Sequence, residues 1–150
     1  MVRQRSFLSL ILGLILVFVV SLNMPAMAAK KSTPTYTAAQ LEQIQVYRSN
    51  LKAVSDRLPE LVPMIEKRQW TDVRDFIHGP MGELRVRMNR LTRSLLPQEQ
   101  AAATAAAREV FEHLIELDEA ALAQSYSKMV RSYGETLRDL NAYFAAVAKG

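Results

Sequence analysis

Apolar residues recur every three or four positions in four stretches of this chain, and the clearest lies between Trp70 and Pro97. At about 100° per residue, Leu84, Met88, Leu91 and Leu95 fall within about 60° of one another, the signature of a helix with one buried face. Arg85, Arg87, Arg90 and Arg93 project from the other side, with no acidic residue between Glu83 and Glu99. Upstream, Ile44, Tyr47, Leu51, Val54 and Leu58 form a first stripe. Thr37 and Gln40 ahead of it have the spacing of a capping box. Pro59 and Pro63 each lack an N–H and crowd the carbonyl four residues back, which predicts a bend or restart with Leu61, Val62 and Ile65 still inward. Gly79-Pro80 predicts a kink or short break near His78.

Pro97 is a good first residue for a third helix, and the alanine-rich run after it favours helix strongly. Its inner stripe reads Ala103, Ala107, Val110, Leu114, Leu117 and Ala121, with Glu109, Glu112, Glu116 and Glu119 opposite. A turn is expected from Ala123 to Ser125. A fourth helix then carries Tyr126, Met129, Val130, Tyr133, Leu137, Leu140, Phe144 and Val147 on one stripe. There is no strand signal and no internal repeat. The expected fold is all-α, an antiparallel up-down four-helix bundle over 37–150.

The first 28 residues change the picture of where the chain works. Arg3 and Arg5 precede an apolar run from Leu8 to Val20, and Ala26-Met27-Ala28 fits a signal-peptidase site. The run is short for a membrane span, which needs about 20 residues. Residues 1–28 are therefore expected to be a cleaved signal, with an uncleaved anchor as the alternative. Residues 29–36 read as a flexible polar tail. Among 150 residues there is no Cys, so disulfides, thiolate metal sites and covalent haem attachment are excluded. Of the formal net charge of +4, Arg3 and Arg5 supply two, leaving +2 on the exported part. So balanced a surface does not indicate a nucleic-acid binder.

Candidate chemistry is sparse. Two His, no Cys and no Gly-rich loop leave no nucleophile–base pair and no phosphate cradle, and no enzyme signature is present. Glu109, His113 and Glu116 share helical spacing that could offer ligands to a divalent ion, but a solvated acidic helix face is the favoured explanation of them. No cofactor is expected, because the fourth helix lacks a His to ligate haem. The arginines are the most suggestive polar feature. Arg85, Arg87, Arg90 and Arg93 surround Val86, which has no core to face, and their own helix is expected to offer them no partner. Arginine suits docking to carboxylates or lipid phosphates.

Several segments carry a resemblance. Gln45-Val46-Tyr47, Gln69-Trp70, Phe76-Ile77-His78-Gly79-Pro80, Ser94-Leu95-Leu96-Pro97 and the run from Arg108 to Leu114 resemble the PsbQ family, above all its cyanobacterial branch. The likeness extends from Tyr36 to the C-terminus. It implies a four-helix bundle acting as a non-catalytic extrinsic subunit of photosystem II. Such a subunit sits on the lumenal side of the thylakoid membrane, beside the photosystem II core and other extrinsic subunits, and supports water oxidation. Membrane contact would come only through that complex. Many members of that branch carry a lipid-anchor Cys at the cleavage site. Here the region reads Met24-Pro25-Ala26-Met27-Ala28-Ala29, so the anchor is not implied. The alternative function is an exported bundle that binds a metal or small ligand.

Overall fold

A computed structural model describes residues 34–148; the signal segment, the cleavage region and most of the tail lie outside the described residues. All regular structure among the described residues is helical. The elements are α1 (Ala38–Ser55), a 3-10 turn (Leu58–Glu60), α2 (Leu61–Glu66), α3 (Trp70–His78), α4 (Gly82–Ser94), α5 (Pro97–Leu122) and α6 (Tyr126–Ala146).

Local chemistry sets each boundary. Thr37 Oγ1 accepts from the Gln40 N–H at 3.2 Å, and Gln40 Oε1 accepts from the Thr37 N–H at 2.9 Å. This reciprocal pair starts α1. Pro59 falls in the 3-10 turn, so the prolines restart the helix instead of bending it. At the end of α2, Arg68 takes a left-handed φ of 56°. The Gln69 N–H then reaches Met64 O at 2.9 Å and the Arg68 N–H reaches Ile65 O at 3.0 Å, the Schellman pattern. Gln124, with φ 52°, ends α5 the same way through Ser125 N–H to Ala120 O at 2.8 Å. The break at Gly79 requires glycine, since a Cβ there would lie 2.9 Å from the Asp75 carbonyl oxygen.

α5 and α6 pack along one another, α1 lies against α4, and α3 and α4 both lie against α5. The α4 stripe Leu84, Met88, Leu91 and Leu95 is buried, as is the whole expected stripe of α5. Val73 and Met81 join the core on either side of the break. Two expectations fail. Val62 is exposed, and so are Tyr126 and Val130 at the start of α6.

The inner face of α6 is rotated from the apolar stripe toward Met129, Ser132, Thr136, Asp139 and Tyr143, all buried. The cause is hydrogen bonding. Tyr143 Oη donates to Met88 O at 2.9 Å and meets Thr92 Oγ1 at 3.0 Å, while Thr136 Oγ1 donates to Ser132 O at 2.8 Å. No buried side-chain N or O atom among the described residues lacks a partner. Tyr36, counted with the tail on sequence grounds, is likewise held. Its hydroxyl meets the Glu99 carboxylate and accepts from the Leu96 N–H at 3.0 Å.

Candidate functional site

The arginines of α4 do not form one uniform strip. Burial of Leu84, Met88 and Leu91 turns them outward, but over a wide arc that meets two neighbouring helices. Arg85 lies over the Phe111 ring of α5, its guanidinium carbon 4.1 Å from the ring centroid. Arg87 is half-buried on the α1 side. Its Nε donates to Glu83 Oε2 at 2.9 Å, and its Nη1 reaches Asn50 O at 3.3 Å. The expectation that no partner exists on their own helix is thus corrected. Glu83 stands one turn before Arg87, a favourable (i, i+4) order. Arg90 sits 5.9 Å from the Tyr47 ring centroid. Arg93 makes no ion pair among the described residues.

Arg90 and Arg93 line an open groove of about 730 Å³ between α1 and α4. Gln40, Gln43 and Tyr47 form its α1 wall, and Val86, Asn89 and Leu96 lie on the other side. Val86 is 58% exposed in it. Two cations, amide side chains and an uncovered apolar group on a rigid helix pair suit a carboxylate-bearing protein surface.

A second polar site lies in the seam between α5 and α6. His113 Nδ1 contacts Asp139 Oδ2 at 2.5 Å, and His113 Nε2 stands 3.4 Å from Glu135 Oε2. Asp139 is only 7% exposed. Arg138 Nε supports it at 3.1 Å, and Ser132 Oγ donates to Glu116 Oε2 at 3.4 Å. His113, Glu116 and Glu135 present ligand atoms all within 4.8 Å of one another. Glu109 is not in this group. It is exposed on α5, and its place is taken by Glu135 from α6.

The other histidine does structural work. His78 Nε2 meets Asp118 Oδ1 at 3.1 Å, and Arg74 Nε donates to the same oxygen at 3.0 Å. Together they fasten the end of α3, just before Gly79-Pro80, to α5.

Two comparisons with known proteins bear on this arrangement. The family described as oxygen evolving enhancer protein 3, PsbQ, matches residues 3–148. CyanoQ of Synechocystis sp. is 38% identical over 144 residues, covering 95% of this chain and 95% of the relative. The chain belongs to the PsbQ family.

PsbQ proteins are extrinsic subunits of photosystem II and are non-enzymatic, so this protein is an oxygen-evolving enhancer and not an enzyme. Its polar clusters are therefore surfaces and cross-links, not a reaction centre. Among the described residues no helix is long and apolar enough to cross a membrane. For a PsbQ protein the groove and the seam differ in how legible they are. The arginines were visible on one helix. Glu135 and Asp139 were not connected to His113, which is 22 and 26 residues away. The signal that could have found them is Ser132, Thr136 and Asp139 recurring at helical spacing beside Glu135.

Proposed function

We propose that the protein docks on the lumenal side of photosystem II, stabilises the oxygen-evolving complex and supports water oxidation. The observation that carries this reading is membership of the PsbQ family over nearly the whole chain. We infer an antiparallel up-down arrangement of four helical stretches: α1 with α2, α3 with α4, α5, and α6. The short links at 67–69, 95–96 and 123–125 support it, since links of that length join antiparallel neighbours.

Docking runs through the α1–α4 groove. Arg90 and Arg93 meet carboxylates of a photosystem II core or extrinsic subunit, Val86 is covered by that partner, and Arg85 and Arg87 border the contact. On this reading, these protein contacts hold the protein at the membrane. The test is reconstitution. Photosystem II stripped of the protein should lose oxygen-evolving activity faster on storage and regain its endurance when the protein is added back. Failure to rebind, or co-purification with a metal instead of the complex, contradicts the reading.

A further inference from the structure

We propose that Tyr36 is a positioning residue for docking: its hydroxyl latches the end of the α1–α4 groove and so places Arg93 for a partner carboxylate. This rests on the reading of that groove as the docking surface. The argument begins with the link between α4 and α5. Leu96 there is extended, with φ −60° and ψ 145°, and its N–H finds no backbone acceptor among the described residues. Tyr36 Oη takes that N–H at 3.0 Å. The one hydrogen of the hydroxyl is turned to the Glu99 carboxylate, which when ionised can only accept. A single side chain thus joins the stretch before α1 to the α4–α5 link and to the first turn of α5, 60 and 63 residues along the chain.

The link is fastened from its other side as well. Gln100 Nε2 donates to Leu95 O at 2.8 Å, and Ser94 Oγ donates to Leu91 O at 2.6 Å. Leu95, Leu96 and Pro97 close the end of the groove that Arg93 lines. Arg93 stands on the last turn of α4, within one turn of the latched amide, and no ion pair among the described residues holds its side chain. Its placement therefore follows the backbone beneath it. A backbone fixed before the partner arrives lowers the ordering cost of binding.

Tyr36 is itself well held. Its ring is half-buried against the core. Burial, and then the contact with Glu99, pushes its hydroxyl up from the ordinary value of 10.0. The hydroxyl therefore keeps its proton, and both of its bonds, at neutral and acid pH.

The test joins amide exchange to rebinding on photosystem II depleted of the protein. Tyr36→Phe keeps the ring and removes both hydroxyl bonds, whereas Glu99→Gln keeps an acceptor for the hydroxyl. Tyr36→Phe should fold as wild type does by circular dichroism. Exchange at the Leu96 amide, followed by NMR, should quicken at least about tenfold, while core amides of α5 and α6 exchange as before. Rebinding at low salt should weaken about three- to tenfold, the loss expected from one or two net hydrogen bonds. Glu99→Gln should rebind within about twofold of wild type. The deciding readout is the cycle with the arginine. If Tyr36 acts through Arg93, adding Tyr36→Phe to Arg93→Gln should weaken rebinding no further. Four results overturn the proposal: loss of the fold in Tyr36→Phe, unchanged exchange at Leu96, wild-type rebinding by Tyr36→Phe, or additive losses in the double variant. Wild-type rebinding by Tyr36→Phe alone removes the latch and leaves the groove. Wild-type rebinding by Arg90→Gln with Arg93→Gln removes the groove and the latch together.

Discussion

Helices α4 and α6 bury their inner faces by different means. The inner face of α4 is almost wholly apolar, and its charges point outward to rings, to Glu83 and to solvent. The inner face of α6 places Ser132, Thr136, Asp139 and the Tyr143 hydroxyl among buried groups, each with a partner on a neighbouring helix or on its own backbone. Burying such groups unpaired is costly, about 1–3 kcal/mol each, so α6 can sit in this rotation only beside α4 and α5 as they are. An apolar stripe announces its orientation from one helix alone. A polar inner face is defined by two helices together.

That difference predicts how each helix responds to substitution. Removing the inner side of α4 should have the largest effect. Leu91 is fully buried, and Leu91→Ala should cost about 2–5 kcal/mol. Arg93→Gln on the same helix should stay within about 0.5 kcal/mol. Urea denaturation measures both. Comparable losses in the two variants would break the division into an inner apolar and an outer cationic face.

A smaller effect sharpens the α6 half. Burial pushes the Tyr143 hydroxyl up to about 12 from an ordinary value of 10.0. Tyr36, by burial and its contact with Glu99, and Tyr133, by burial, shift the same way. Between the two values the unfolded chain releases a proton that the folded chain keeps. The contribution of Tyr143 is therefore complete below pH 10 and falls as pH rises from 10 toward 12. Tyr143→Phe should cost about 1–2 kcal/mol at neutral pH through the lost bonds to Met88 O and Thr92. Its stability should then decline less steeply than wild type in that alkaline window. Denaturation midpoints from neutral pH upward check both parts.

The same contrast explains what the sequence made legible. The apolar stripes of α1, α4 and α5, the Thr37 cap, the break at Gly79-Pro80 and the turn before Tyr126 are written in neighbouring residues, and all appear in the structure. The stripe of α6 was misjudged because Tyr126 and Val130 are apolar in type, while Ser132, Thr136 and Asp139 are polar. Hydropathy assigns the first pair to the core and the second group to solvent. Only the hydrogen bonds reverse that order. The grouping of Glu135 with His113 and Glu116 was hidden for a related reason. Glu109 lies one turn from His113 along the chain, but Glu135 comes closer through the packing of α5 on α6. On α4, charge spacing found the arginines, whereas the rings beneath Arg85 and Arg90 belong to other helices and could not be foreseen.

The most direct test of the account is the rebinding of a double variant, Arg90→Gln with Arg93→Gln, to photosystem II depleted of the protein. Both side chains line the α1–α4 groove, and neither belongs to the buried stripe. Circular dichroism and melting should match wild type. At low ionic strength the variant should rebind at least tenfold more weakly. Wild-type binding should itself weaken as salt rises, since the screening length falls to about 3 Å at 1 M. A folded double variant that rebinds as tightly as wild type at low salt would contradict docking through this groove.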